Sequence, residues 1–139
     1  MSNRADAATE AWGLVLELAF SNRDRFMAAV HELGLAPMQA HALRLLERPV
    51  NMGDLADLLQ CDASNVTGIV DRLEQRGLVE RVAEPGDRRV KKLQLTEAGE
   101  DARRRFLARM HVPPPTVAAL PAADAARLRD LLERALGRA

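Results

Sequence analysis

Four cations lie close together in one short stretch and could bind an anionic partner. They follow the turn sequence Pro85-Gly86 and are Arg88, Arg89, Lys91 and Lys92. The whole chain has 20 basic and 20 acidic residues, but residues 88–109 hold eight basic and three acidic side chains. Because local potential governs attraction to phosphate, a net charge of zero does not exclude a nucleic acid. A charge run is also commonly a solvated face, and that alternative stays open.

A second group of polar residues comes before the cations, in a segment with helical spacing. One helix face is apolar at positions i, i+3, i+4 and i+7, formed by Val66, Ile69, Val70 and Leu73. The first turns and the other face carry Ser64, Asn65, Thr67, Gly68 and Arg72. Short polar side chains can hydrogen-bond base edges or phosphate oxygens, and a glycine permits close backbone approach. The same residue types are ordinary capping residues, so a structural role is the alternative.

Two short helices with a tight joint must position these polar residues. Asn51 is predicted to cap a first helix that ends near Gln60. Asp62 is predicted to cap a second helix over residues 63–76, which Gly77 ends. The polar side chains then lie at the amino-terminal end of the second helix, the end that enters the major groove in helix-turn-helix proteins.

A two-stranded hairpin is predicted to carry the cations. Residues 78–82 and 90–95 are typical of strands, and Pro85-Gly86 between them has the signature of a type II turn. Thr96 is predicted to cap a helix that runs to about Met110. The fold class is therefore mainly α, within α+β: a winged helix-turn-helix with a two-stranded β-wing and flanking helices.

The flanking segments carry more apolar surface than one domain of this size needs. Residues 6–33 have a broad apolar stripe at helical spacing, and residues 37–46 form a helix that begins with proline. The run Pro113–Pro115 ends the helix after the wing, and residues 122–136 carry a leucine-rich stripe. We expect the two terminal regions to intertwine across a two-fold axis and form a homodimer.

The winged segment resembles the MarR (multiple antibiotic resistance regulator) family of bacterial transcription factors from about Leu35 to Gly99. The residues that carry the resemblance are Leu55-Ala56, Ser64 to Val79 (SNVTGIVDRLEQRGLV) and Asp87 to Gly99 (DRRVKKLQLTEAG). The strongest signal is the Asp-x-Arg element of the wing followed by Leu-Thr-x-x-Gly.

The resemblance implies a homodimer that binds double-stranded DNA at a pseudo-palindromic operator. It places the helix from Ala63 in the major groove and Arg89 in the minor groove. It also implies that Asp87 orients the wing arginines through ion pairing, while Arg72 contacts phosphate. The protein is expected to be a repressor, and a winged-helix module that binds protein without DNA is the alternative.

The family resemblance further implies a cleft for a small-molecule effector, expected to be a small aromatic compound. The residues that could line this cleft are Trp12, Phe20, Phe26, Met38 and His41, with Met27. Core and interface packing is an equally good interpretation of these side chains. We therefore divide residues 1–139, a single domain, into a DNA-binding module at 35–99 and dimerisation helices at 6–33 and 100–137.

Several classes of protein are excluded by what the sequence lacks. His31, His41 and His111 show no close ligand spacing, so we expect no metal and no cofactor. No phosphate loop or nucleophile elbow is present, so an enzyme is not expected. Cys61 is interpreted as a small buried hydrophobe, with redox sensing as the alternative. With no secretory signal or membrane span in the sequence, a cytoplasmic protein is expected.

Overall fold

The computed structural model of the chain describes residues 2–138, so Met1 and Ala139, the ends of the predicted domain, lie outside the described residues. The helices are α1 (Ser2–Ser21), α2 (Arg23–Glu32), α3 (Pro37–Leu45), α4 (Met52–Leu59), α5 (Ala63–Gln75), α6 (Glu97–Met110), α7 (Pro115–Ala118) and α8 (Ala122–Ala135). The strands are β1 (Val50–Asn51), β2 (Val79–Glu84) and β3 (Asp87–Leu95). The predicted fold class, a mainly helical winged helix-turn-helix, is confirmed.

Each predicted helix cap is present. The side chains of Asn51, Asp62 and Thr96 accept hydrogen bonds from the backbone N–H groups three residues later, at 2.7, 3.0 and 3.0 Å. Each bond satisfies a donor that the first turn of the helix would otherwise leave unpaired. The starts of α4, α5 and α6 are therefore fixed by local sequence.

The sheet has one strand more than the predicted two-stranded wing. Its order is β1-β3-β2, and both pairs are antiparallel. The additional strand is β1, whose Val50 lies opposite Leu93. A two-residue strand has no periodicity from which it could be predicted, and its pairing with β3 comes from a distant part of the chain.

One hydrophobic cluster holds the module together. It joins α3, α4, α5, the sheet and α6, and its fully buried members include Leu43, Leu55, Val66, Leu73 and Leu93. The apolar face predicted for α5 supplies Val66, Val70 and Leu73, all buried. A second cluster attaches α2 to α6, where the rings of Phe26 and Phe106 meet edge to face at 6.1 Å.

The junction between wing and α6 explains the glycine at the end of the family motif. The Thr96 hydroxyl donates a hydrogen bond to the Gly77 carbonyl at 2.6 Å, which ties the end of β3 to the end of α5. At Gly99 a Cβ atom would overlap the carbonyl of Leu78. Only a glycine lets α6 pass this close to the chain that enters β2.

The terminal helices differ from the prediction in one respect and agree in another. The stripe over residues 6–33 does not form one helix, because α1 ends at Ser21 and α2 begins at Arg23. At this break the Asn22 amide donates a hydrogen bond to the Leu18 carbonyl at 2.8 Å, which satisfies an acceptor at the end of α1. The prolines end α6 as predicted, and the short α7 lies between α6 and α8.

None of the described helices is long and apolar enough to cross a membrane.

Candidate nucleic-acid interface

The amino-terminal end of α5 presents polar side chains of two kinds. The Ser64 hydroxyl donates to Asp62 Oδ1 at 2.8 Å, and the Thr67 hydroxyl donates to the Ala63 carbonyl at 2.9 Å. Both hydroxyl protons are therefore used inside the first turns of α5, one on the capping carboxylate of Asp62 and one on a backbone carbonyl. Within residues 2–138 the side-chain amide of Asn65 forms no hydrogen bond, and it is exposed. Asn65 is thus the residue of this group with a free donor and acceptor.

The charge of Asp62 depends on the same turn. The N–H of Asn65 and then the Ser64 hydroxyl stabilise its carboxylate, and together they lower the pKa of Asp62 below its ordinary value. The cap is therefore ionised at neutral pH. A carboxylate at the start of a helix also interacts favourably with the positive end of the helix dipole.

The rest of this α5 face is open. Around Gly68 an added Cβ atom would meet nothing within 4 Å, so the packing of this chain does not require a glycine there. Arg72 is exposed one turn later and forms no ion pair with any residue in 2–138. Both positions are accessible to a molecule that approaches the helix from outside.

The wing carries its two arginines in a bulge. Ala83 lies opposite Lys91, but the next residue, Glu84, lies opposite Asp87. The three residues between, Arg88 to Val90, therefore have no partner across the hairpin. Gly86 has φ +95°, as the second central position of a type II turn requires. Both arginines of the bulge are exposed.

Asp87 stabilises this bulge in a way that corrects the sequence prediction. Its Oδ1 accepts a hydrogen bond from the backbone N–H of Arg89 at 3.0 Å. In the described part of the chain, Asp87 forms no ion pair with a wing arginine. It shapes the backbone that carries Arg89 and leaves the guanidinium charge unneutralised.

One of the four predicted cations has an acidic partner on the neighbouring strand. Lys92 Nζ forms an ion pair with Glu84 Oε1 at 3.1 Å across the hairpin, and both side chains are more than a third exposed. Lys91 lies on the opposite face of β3 because side chains alternate along a strand. Among residues 2–138, Arg88, Arg89 and Lys91 have no acidic partner.

Arg81 was not identified from the sequence, although it connects the two halves of the interface. Its Nη2 lies 2.9 Å from Asp71 Oδ1, and its Nε lies 2.9 Å from Glu74 Oε1. Exposed ion pairs contribute little stability, but a guanidinium held by two carboxylates fixes geometry. The spacing of Asp71 and Glu74, three residues apart on one helix face, was the available signal. Arg81 thereby links strand β2 of the wing to α5.

Within residues 2–138, the predicted effector residues are not brought together in one site. A cavity of about 670 Å³ lies where α1, α2, α6 and α7 meet, and Phe26 and Arg25 line it. Trp12, Phe20 and Met38 are exposed and do not line this cavity. His41 lies half-buried beside Arg44, and burial followed by the Arg44 charge lowers the pKa of His41.

Two other sequence interpretations concern cysteine and metals. Cys61 is half-buried and packs against the module core, as a small hydrophobe does. Across residues 2–138 no group of three or more histidine, cysteine or acidic side chains could hold a metal ion.

Together, the fold and the polar surface define a winged helix-turn-helix protein. The sequence model of the MarR family matches residues 35–91, which cover α3 to the first part of β3. The solved structure of a MarR family protein from Bacillus stearothermophilus superposes with a TM-score of 0.83 at 23% identity, over 96% of each chain. The winged module of this chain is therefore similar in sequence to the MarR family, and its fold is that of a solved MarR family structure.

Two named proteins are similar to this chain. The HTH-type transcriptional regulator MhqR of Bacillus subtilis (strain 168) is 35% identical over 91 residues, 62% of this chain and 61% of MhqR. CouR from Rhodococcus jostii RHA1, solved with p-coumaroyl-CoA, is 28% identical with a TM-score of 0.64, over 86% of this chain and 87% of CouR. The chain thus spans less than two thirds of the length of MhqR. By its name, MhqR is a transcriptional regulator of the helix-turn-helix type.

Proposed function

We propose that this protein is a transcriptional repressor that binds a pseudo-palindromic operator as a homodimer, in the cytoplasm. Residues 35–99 are the DNA-binding module in this proposal, and residues 6–33 and 100–137 supply the dimer interface. The observation that carries the proposal is the surface formed by the wing bulge and the start of α5. It combines three cations that lack acidic partners among residues 2–138 with the free amide of Asn65.

The chemistry of this surface fits the two grooves of duplex DNA. Asn65 at the start of α5 can form paired hydrogen bonds with an adenine edge in the major groove. A guanidinium at the wing tip suits a narrow minor groove, where the negative potential is enhanced, and we assign this role to Arg89. Ser64, Thr67 and Arg72 would then contact phosphate or neighbouring bases. The Arg81 bridge supports simultaneous binding in both grooves.

The dimer is supported by the terminal helices. On α1, Trp12 is 61% exposed and Phe20 is 71% exposed. On α8, Leu131 is 60% exposed, and none of the side chains of this helix is buried. Several large apolar side chains exposed on one helix favour an interaction site in a folded protein. A second copy, paired about a two-fold axis, would present two α5 helices to two half-sites.

Release by a small aromatic effector is the remaining part of the proposal. The cavity beside Phe26 and the bound p-coumaroyl-CoA of the relative CouR support it. The residues Trp12, Phe20, Met38 and His41 stay predicted lining residues, to be completed by a partner subunit. An aromatic carboxylate would find Arg25 and Arg109 at the edge of this cavity.

The proposal is tested by selection of duplexes from a random 30-base-pair pool with the full-length protein. We expect enrichment of one inverted repeat, and binding that weakens by about 0.9 log units per log unit of salt for each phosphate neutralised. A variant with Arg88, Arg89 and Lys91 all changed to alanine should enrich nothing. If the unaltered protein also enriches nothing, the DNA-binding proposal is wrong and the protein-binding alternative replaces it.

A further inference from the structure

Arg76, the residue that ends α5, binds a distant part of the chain with both arms of its guanidinium. Its Nη1 donates to the Gly34 carbonyl at 2.7 Å, and its Nη2 donates to the Leu33 carbonyl at 2.9 Å. These carbonyls lie directly after α2, 42 and 43 residues away in sequence. A positive group at this place also interacts favourably with the negative, carboxyl-terminal end of the α2 dipole. The contact therefore joins the carboxyl ends of α2 and α5.

The chain is shaped to receive this guanidinium. Gly34 has φ +66°, in the left-handed region that glycine adopts without strain. A Cβ atom at Gly34 would lie 3.2 Å from Arg76 Nη2 and 3.3 Å from Nη1, so even alanine would press against the contact. Two carbonyls of consecutive residues match the planar fork of arginine, whereas a lysine could offer only a point charge.

The position of Arg76 separates it from the proposed DNA surface. It lies at the carboxyl end of α5, three turns from Asn65, and its guanidinium points to α2. The other end of α2 lines the 670 Å³ cavity through Arg25 and Phe26. Helix α2 thus has the cavity at one end and the end of α5 at the other.

We propose that Arg76 is a positioning residue for DNA binding, through which the carboxyl end of α2 fixes the orientation of α5. This inference rests on the proposed function and extends it, because it assigns the mechanical connection between the cavity region and the α5 surface. Arg76 contacts no DNA in this mechanism. It holds α5 at the angle at which Asn65 and the wing reach the duplex together.

Four variants of the full-length protein test this role. Arg76→Ala removes the contact, Arg76→Lys keeps the charge without the fork, and Gly34→Ala disturbs the contact from the carbonyl side. Arg48→Ala, an exposed loop arginine, is the matched control for loss of one positive charge. Binding is measured by fluorescence anisotropy on the duplex selected by the unaltered protein and on a scrambled duplex of equal composition, across a salt series. Thermal unfolding verifies that each variant is folded.

We expect Arg76→Ala to weaken binding to the selected duplex by about 3- to 30-fold. Binding to the scrambled duplex and the salt slope should stay unchanged, because no phosphate contact is lost. Arg76→Lys should weaken binding less than Arg76→Ala does. Gly34→Ala should weaken binding as much as Arg76→Ala, although Arg76 is still present. Equal weakening on both duplexes, with a slope smaller by about one unit, would mean a direct phosphate contact and would overturn the inference.

Hydrogen exchange provides a readout that does not need DNA. In Arg76→Ala, amides near the end of α5 and near Gly34 should exchange faster than in the control variant. If the unaltered protein selects no duplex, the proposed function fails, but exchange still decides whether Arg76 holds the two helix ends. Unchanged exchange, or unchanged binding to the selected duplex in both Arg76 variants, would show that the contact positions nothing.

Discussion

Helix α5 of the module and the terminal helix α8 are amphipathic helices of similar length, with 13 and 14 residues, but their apolar faces are covered differently. In the module, three of the four apolar residues of α5, Val66, Val70 and Leu73, are 0% exposed, and Ile69 is partly buried. On α8 an apolar stripe of the same spacing leaves Leu131 60% exposed. The periodicity of the two helices is alike, but only one of them finds its partner within the same chain. Periodicity therefore predicts that a helix has an apolar face and does not predict which chain covers it.

This difference predicts two kinds of stability in one protein. The module has its own core, so it should fold within a single protomer. The apolar surfaces of α1 and α8 should contribute free energy only when a second copy covers them.

The largest expected effect comes from truncation in the module core. Leu73→Ala leaves a cavity among well-packed residues and should lower the free energy of unfolding by about 2–5 kcal/mol. Leu131→Ala, the matched change on α8, should cost much less at protein concentrations where the chain is monomeric. Urea unfolding monitored by circular dichroism measures both. Similar losses in the monomer would mean that α8 packs on its own module.

A smaller effect is expected from a charge placed in the α8 stripe. Leu131→Glu should raise the dimer dissociation constant at least about tenfold, because it puts a carboxylate into an apolar interface. Arg134→Glu, which adds a carboxylate at a polar position of the same helix, is the control. Light scattering should give twice the chain mass of 15.3 kDa for the unaltered protein and for the control. A monomeric unaltered protein would contradict the proposed dimer.

Local signals explain why much of the module was predictable. Asn51, Asp62 and Thr96 each act on an N–H group three residues away, so the three helix starts follow from short sequence windows. The two-residue β1 and the interruption of the first helix at Asn22 have no comparable local pattern. Their positions depend on pairing with β3 and on packing, and a single sequence does not encode these visibly.

The candidate interface was predictable in its composition more than in its electrostatics. The polar residues of α5 and the wing cations are all exposed except Lys92, which is partly buried. The ion pair of Lys92 with Glu84 depends on hairpin register, and the Arg76 contact depends on a loop more than 40 residues away. Counting charges along the sequence reveals neither contact, because the residues in each contact come close together only in the folded chain.

The exposed side chains of the wing are charged, whereas those of the α8 stripe are apolar, so substitutions in the wing should change DNA binding and leave the dimer intact. Arg89→Ala should cost about 1–3 kcal/mol in operator affinity and more than Arg88→Ala, because the Asp87 hydrogen bond fixes the backbone at Arg89. Lys91→Ala should reduce the salt slope by about one unit, and Lys92→Ala by less, because Lys92 is paired with Glu84. Dimer mass should not change in any of these variants. Equal losses from Arg88 and Arg89 would defeat the assignment of Arg89.

The smallest expected effect concerns the caps of α4 and α5, which have the same geometry but differ in charge. The lowered pKa of Asp62 means that its ionised form stabilises the folded state. This contribution is complete above the unfolded-state pKa of about 3.9, and it is lost as pH falls through the lower folded-state pKa.

The unfolding midpoint of Asp62→Ala should therefore lie below that of the unaltered protein at neutral pH, and the gap should shrink towards about pH 3. Asn51→Ala removes a cap that cannot titrate, since an amide accepts the hydrogen bond from Asp54 N–H at 2.7 Å. Its gap should remain at both pH values. Calorimetry at the two pH values measures both differences, and parallel behaviour of the two variants would mean that Asp62 acts through its position and not through its charge.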